Sequence, residues 1–279
     1  MSKSKTDAIY RKTQRQIQRE YNDALESMLK KIRDYLKTVQ SVQSGKTKPP
    51  SGLKTEAQIE AWRRGYLRRY VNKTRVIDEM VDDMRNAGVK CRKSITTAMN
   101  KIYGSESSSV VRSLNLEKLI PAKKTNEISV LLDNNLSTFD KGALEKLNDA
   151  SVAQKRLRRE FAVGIMQGDD DEKMRKRIMN VTGMEERHAQ VVLRTEKTRV
   201  SGMAQQITAE ECYEKTKRKP FKRWICMFRN SRESHMDNHG EVVAFDERFS
   251  NGLRYPGDES APANETVNCQ CVMEVFYGD

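Results

Sequence analysis

The chain has 279 residues, of which 37% are hydrophobic and 33% are charged, and its net charge is +13. This composition favours long exposed helices around a thin core over one dense globule. No run of about 18 apolar residues occurs, so we expect no membrane span, and the N-terminus lacks the apolar segment of a secretory signal. We therefore expect a protein kept in a cytoplasm, with its five cysteines reduced unless they bind metal.

The charge is unevenly distributed along the chain. Residues 241–279 contain eight acidic and two basic residues, a net charge of −6, which leaves +19 for residues 1–240. This asymmetry is typical of a basic body that lies near a polyanion, with a tail that is not itself a nucleic-acid surface. A lysine-rich surface that contacts only solvent is the alternative, and charge alone does not separate the two.

The N-terminal two-thirds of the chain is predicted to be helical. Apolar residues recur every three or four positions over residues 7–42, which predicts one amphipathic helix in an N-terminal domain of residues 1–43. A tandem proline flanked by glycines predicts a linker over residues 44–55, because this composition cannot continue a helix. Residues 56–168 then form the predicted helical body.

Several breaks are predicted within this body. A helical stretch over residues 56–103 is expected to pause at Gly88, and residues 104–109 are predicted to form a serine-rich loop. A short helix is predicted over residues 125–136 and an amphipathic helix over residues 137–168.

Residues 169–279 are predicted to form a separate C-terminal module. Aspartates at positions 169–171 are predicted to cap a new helix, because acidic groups are stabilised at the positive end of the helix dipole. Thr182 and Gly183 are predicted to end this helix, and residues 185–217 are predicted to form the last long one.

The pattern changes after this helix. Residues 221–228, 241–245 and 271–277 are rich in strand-forming side chains, with turn signals at Asn251-Gly252 and Pro256-Gly257 between them. The predicted fold class is therefore mainly α, with an elongated helical N-terminal region followed by a small α+β C-terminal module.

One carboxylate falls on the apolar face of the last long helix. Glu196 must be paired there, because an unpaired buried charge costs several kcal/mol. Arg199 is adjacent by helical spacing, and Arg232 is the expected partner from the module. We predict a structural polar lock of Arg194, Glu196, Arg232 and His235. The alternative is that Glu196 acts as a catalytic base.

Histidines and cysteines of the module predict a zinc site. His235 and His239 are spaced by one helical turn, and Cys269 and Cys271 add two thiolates to complete a tetrahedral structural site. Two reduced cysteines in a strand, with His235 in a polar network, are the alternative. A catalytic zinc site with Glu265 as base is disfavoured, because the spacing of the zinc deaminases is absent from the sequence.

A run of basic residues enters the module. It offers phosphate contacts without any recognition-helix signature, so binding to double-stranded DNA is expected to be independent of sequence and sensitive to salt. The residues predicted to contact DNA are Lys215, Lys217, Arg218, Lys219, Lys222 and Arg223.

The motifs of the C-terminal third occur in a specific order. They are Arg194-Thr195-Glu196, Trp224, Arg232-x-x-His235, Gly240, Tyr255-Pro256-Gly257-Asp258, Glu265 and Asn268-Cys269-x-Cys271. This order resembles the phage Mu F-like head morphogenesis (minor capsid) family over roughly residues 165–277. At the position before Gly240 the family often has aspartate, and here it is His239.

The resemblance implies a minor head protein of a tailed phage that acts in procapsid assembly or in genome packaging and delivery. Its implied partners are the portal protein, the packaged DNA and the major capsid or scaffold protein. The implied location is the virion, inside the head near the portal vertex, after assembly in the host cytoplasm. The resemblance implies no enzymatic activity. The alternative is a toxin-like or nuclease-like domain, carried on a phage structural protein, that uses Glu196 and His235.

Overall fold

The computed structural model describes residues 5–70, 73–118, 151–167, 169–229 and 231–278. Long helices come first in the chain and a small sheet comes last, which confirms the predicted fold class. The long helices are α1 (Lys5–Gln43), α2 (Glu56–Tyr70), α3 (Lys73–Ser113), α4 (Ser151–Met166) and α5 (Asp171–Thr216).

Short elements follow α5. They are β1 (Phe221–Ile225), α6 (Glu233–Asp237), β2 (Val242–Ala244), α7 (Ala263–Thr266) and β3 (Val272–Phe276). The strands form an antiparallel sheet in the order β2-β1-β3. Phe221 pairs with Ala244 on one side and with Phe276 on the other, while Ile225 pairs with Val272. These strands lie within the three segments predicted from strand-forming side chains.

The chain forms two compact units, each assembled from separated stretches. The C-terminal unit comprises Met1–Ile17, Cys91–Glu145 and His188–Asp279, and the helical unit comprises Gln18–Lys90 and Lys146–Arg187. The boundaries at residues 17/18, 90/91 and 187/188 fall within α1, α3 and α5. The linear division into residues 1–43, 44–55, 56–168 and 169–279 stays a prediction. Among the described helices, none is both long and apolar enough to span a membrane.

The helical unit buries apolar side chains that recur at helical spacing. Burying an aliphatic or aromatic side chain of this size contributes about 1.5–3 kcal/mol. Lys31 Nζ on α1 also lies 2.5 Å from Asp83 Oδ2 on α3. The buried side chains include Tyr21, Met28 and Ile32 of α1, Ile77, Met80 and Met84 of α3, Leu157 and Phe161 of α4, and Met174 and Ile178 of α5.

Two breaks that the sequence predicts do not occur, because helix α3 is continuous there. It runs through Gly88 and through the serine-rich residues 104–109, both of which were expected to interrupt it. Tyr103, Ser107 and Val110 are all buried, so the helical burial pattern continues through the serines. Glycine and serine destabilise a helix by up to about 1 kcal/mol per residue relative to alanine. Tertiary packing of this helix face outweighs that cost.

A third predicted break, in helix α5, is also wrong. The helix is continuous from Asp171 to Thr216, whereas Thr182 and Gly183 were expected to end it. The Thr182 hydroxyl is buried and donates a hydrogen bond to the carbonyl of Ile178 inside the helix, at 2.9 Å. The predicted N-terminal cap is confirmed, since Asp170 Oδ1 accepts a hydrogen bond from the Lys173 N–H at 2.9 Å.

Two other predicted helices fall on the chain between α3 and α5. The short helix predicted over residues 125–136 lies outside the described residues. The helix predicted over residues 137–168 is described only from residue 151 onward, where α4 (Ser151–Met166) lies within it.

Candidate metal centre and the contacts around it

His235 lies at the centre of a buried polar cluster. It belongs to the short helix α6, and only 1% of its surface is exposed. Its Nε2 lies 3.0 Å from Oε2 of Glu265 on α7, and the Ser234 hydroxyl donates to the same oxygen at 3.1 Å. A carboxylate at this distance accepts the Nε2 proton, which leaves the lone pair of Nδ1 available to a ligand.

Two thiols lie next to Nδ1 of this imidazole. Nδ1 of His235 lies 3.5 Å from Sγ of Cys269 and 3.6 Å from Sγ of Cys271. All three residues are buried, and their ligand atoms lie within 4.8 Å of one another. Because thiolates and imidazole are the ligands that structural zinc sites use, this group could hold a metal ion.

The two thiols differ in acidity. Hydrogen bonding from the Cys271 thiol holds the pKa of Cys269 below its ordinary value, although burial opposes this. The hydrogen bond to Cys269 and burial raise the pKa of Cys271. Hydrogen bonding between the two thiols therefore favours a thiolate at Cys269 over one at Cys271.

His239 does not join the cluster, which corrects its predicted role as a ligand. Helix α6 ends at Asp237, so the spacing of one helical turn from His235 does not hold. Instead, His239 Nδ1 accepts a hydrogen bond from the backbone N–H of Cys226 at 3.1 Å. Its ring packs edge-on against Phe228, with centroids 4.8 Å apart.

The predicted polar lock is also rearranged. Arg194 bonds to the side-chain oxygen of Asn268, and Arg232 donates to the carbonyls of Asn264 and Val267. His235 also bonds to this part of the chain, which we call the 264–269 segment. Glu196 forms its ion pair with Arg199, at 3.5 Å, and the predicted pairing of Glu196 with Arg232 is corrected accordingly.

Helix α5 fixes the backbone on both sides of Cys269. The Thr195 hydroxyl accepts a hydrogen bond from the N–H of Asn268 at 2.9 Å, and the Thr198 hydroxyl donates to the carbonyl of Cys269 at 2.6 Å. Asn268 has a φ of 63°, a left-handed conformation that asparagine tolerates better than most residues. Arg194 and Thr195 belong to a motif that is visible in the sequence, whereas no sequence signal marks Thr198.

The Tyr255-Pro256-Gly257-Asp258 loop packs directly on α5. A Cβ at Gly202 would lie 2.7 Å from the carbonyl oxygen of Pro256, and one at Gly257 would lie 2.9 Å from the backbone of Arg199. Gly257 also has a φ of 82°, which favours glycine. Gly202 and Gly257 therefore permit the close approach, and sequence reasoning missed Gly202 because a glycine inside a helical pattern carries no distinctive signal.

Asp258 anchors this loop through a fully satisfied buried carboxylate. It accepts hydrogen bonds from the backbone N–H groups of Arg254 and Ser260 at 2.8 and 3.0 Å, and from the Ser260 hydroxyl at 2.8 Å. The Arg254 guanidinium adds two contacts of 3.2 Å. Burial alone would raise the pKa of Asp258, but these hydrogen bonds outweigh it and hold the pKa at about 2.

The basic run divides into exposed and buried members. Lys222 is fully buried and donates to Gln206 and to the carbonyl of Arg254, so its predicted contact with DNA is corrected. Burial lowers the pKa of Lys222 to about 8. Lys219 and Arg223 are exposed but form ion pairs with carboxylates, at 3.0 and 3.2 Å. The remaining predicted contacts are also exposed; they are Lys215, Lys217 and Arg218.

Fold and site together define a helical protein that ends in a small α+β module closed around a buried His–Cys group. Residues 155–274 match the model of the family described as Phage Mu protein F like protein. This match covers less than half of the chain. It confirms the resemblance carried by the motifs to the phage Mu F-like family over these residues, and it is consistent with a protein of phage head morphogenesis. No curated protein and no solved structure matches the chain.

Proposed function

We propose that the protein is a minor head component of a tailed phage that associates with the portal and with packaged DNA, and that it serves a structural and not a catalytic role. The observation that carries this proposal is the match of residues 155–274 to the phage Mu F-like family. Such a component would be present in the virion, inside the head near the portal vertex, and would contact the major capsid or scaffold protein during assembly.

Burial of the polar groups supports a structural role. His235 and Glu196 are 1% and 4% exposed, so neither reaches a macromolecular substrate without rearrangement of the module. A toxin-like or nuclease-like activity would require both residues at an open cleft. Their contacts instead join the 264–269 segment to α6 and stabilise α5, which is what a rigid assembly module needs.

We further propose that the buried cluster binds zinc. Cys269, Cys271 and Nδ1 of His235 supply sulfur and nitrogen donors, and Glu265 holds the imidazole in the tautomer that a metal ligand requires. Zinc bound there would cross-link the turn before β3 to helix α6. Small modules gain much of their stability from such a link, because they bury little apolar area.

The proposed role predicts that the protein is a component of virions. We expect peptides of the full chain in particles purified from the phage that encodes it, and loss of DNA-filled heads when its gene is deleted. Restoration should use the full chain, because Thr6 and Asp7 of α1 contact Glu106 and Lys197 within the C-terminal unit. Particles that lack the protein, or a deletion that leaves full heads unchanged, would refute the proposal.

Contact with DNA predicts a salt-dependent affinity that rests on the exposed basic run. Replacement of Lys215, Lys217 and Arg218 by glutamine is expected to weaken binding to any duplex and to reduce the slope of log affinity against log salt. The slope changes by about 0.9 for each lost phosphate contact, so we expect a decrease of about 2–3. Titration of a labelled duplex at several salt concentrations measures this slope.

The matched control replaces Lys219 and Arg223 by glutamine. Both are exposed cations of the same run, but they already lie in ion pairs with carboxylates, so the slope should change less. An unchanged slope in the triple variant would show that this run does not contact phosphates.

A further inference from the structure

Sheet pairing brings a third cysteine beside the His–Cys cluster. The register of β1 and β3 pairs Ile225 with Val272, so the next position outward places Cys226 opposite Cys271. Directly opposed residues of an antiparallel pair have Cβ atoms about 4.5–5.5 Å apart, with side chains on the same face. Cys226 is only 3% exposed and therefore points into the module, as Cys271 does.

Hydrogen bonds hold the Cys226 thiol and its backbone in place. The register places the Cys226 thiol beside the thiol of Cys271. The backbone N–H of Phe228 donates to Sγ of Cys226 at 3.4 Å, and His239 accepts the N–H of Cys226. The contact from the Phe228 N–H fixes the orientation of the Cys226 sulfur.

We propose that Cys226 is the fourth donor of the metal centre, so that Cys226, His235, Cys269 and Cys271 bind one Zn²⁺ through three thiolates and one imidazole. This proposal rests on the zinc binding proposed above and names the complete ligand set. The four donors come from the end of β1, from α6 and from the turn before β3, so one ion would join three separate parts of the module. His239 is a positioning residue that holds the backbone of Cys226.

A fourth protein donor determines what kind of site this is. Structural zinc sites are closed by four protein ligands, whereas catalytic sites keep one position for water or substrate. A Cys₃His set therefore belongs to a structural centre, in agreement with the burial of all four side chains.

X-ray absorption at the zinc edge of the purified full chain tests the ligand set directly. We expect three sulfur neighbours at about 2.3 Å and one nitrogen neighbour at about 2.0–2.1 Å. Zinc with two sulfur and two lighter neighbours would overturn the assignment of Cys226 while leaving zinc binding intact. Protein that holds no zinc after purification in zinc-containing buffer would overturn both.

Variants of the full chain provide a second test. Cys226→Ser is expected to weaken zinc affinity by more than about 100-fold in a chelator competition, because even the loss of an outer-shell partner costs about 10–100-fold. The matched control is Cys212→Ser, a buried cysteine of the same unit on α5, which should retain wild-type affinity. His239→Ala should keep the three-to-one ratio of sulfur to nitrogen. Wild-type affinity in Cys226→Ser, or loss of a nitrogen neighbour in His239→Ala, would contradict the proposal.

Discussion

Replacing Cys269 and Cys271 together by serine is expected to unfold the C-terminal α+β module under conditions in which the wild-type module is folded. For the proposed zinc site, the free energy lost is that of zinc binding to the folded state, about 4 kcal/mol when free zinc exceeds the dissociation constant a thousand-fold. Trp224 reports this change because it is fully buried and packs edge-on against His235 with centroids 5.2 Å apart.

The chain has two tryptophans, so the measurement is made in a Trp62→Phe background where Trp224 is the sole tryptophan and is excited selectively over the tyrosines. Denaturant unfolding of this protein is followed by tryptophan emission, with Cys212→Ser as the matched substitution of a buried cysteine outside the cluster. Addition of a strong zinc chelator to the parent protein should reproduce the effect of the double substitution. The same unfolding midpoint with and without the two thiols would contradict the proposal that a bound metal ion stabilises the module.

Replacing Asp258 by asparagine is expected to give the second-largest effect. The pKa of Asp258 is held at about 2 in the folded chain, against about 3.9 for an unperturbed aspartate. A difference of this size corresponds to about 2–3 kcal/mol of stability at neutral pH. Asparagine preserves the shape but removes the charge and turns one acceptor into a donor, which faces the N–H of either Arg254 or Ser260.

This contribution has a defined dependence on pH. Because folding lowers the pKa of Asp258, its stabilising effect is present above the unfolded pKa and is lost as the pH falls from about 5 through the folded pKa of about 2. The difference in unfolding free energy between wild type and Asp258→Asn should therefore shrink on acidification. Using this difference removes the effect of other groups that titrate in the same range.

Asp246→Asn is the matched control for Asp258. Asp246 is half-exposed and forms an ion pair with Lys219, and a hydrogen bond from that lysine lowers its pKa. Exposed pairs of this kind contribute at most about 1 kcal/mol, so the control should lose much less stability. Equal losses in both variants would show that the buried hydrogen bonds of Asp258 are not the source of its effect.

The sequence predicts those parts of the fold that depend on local periodicity. Apolar residues that recur every three or four positions indicate the amphipathic helix α1. Clusters of strand-forming residues indicate the segments that contain β1, β2 and β3. It fails where packing outweighs propensity. The serines at 104–109 and the Thr182-Gly183 pair are weak helix formers, yet both lie inside long helices with buried neighbours.

The residues of the site also differ in how far the sequence predicts them. His235, Cys269 and Cys271 could be grouped from residue chemistry alone, and the structure brings them together. His239 was grouped with them because four-residue spacing suggests one helical face, but α6 is too short for this. Cys226 carries no spacing signal, since its proximity to Cys271 depends on strand register, which only the pairing of β1 with β3 reveals.

Elemental analysis of the purified full chain, with Cys269→Ser as the control, tests most directly whether a bound ion closes the module. We expect about one zinc per chain in the wild type and little or none in the variant, because the proposed site needs every thiolate. Wild-type protein that folds stably without zinc, or a variant that retains the full amount, would contradict the proposal.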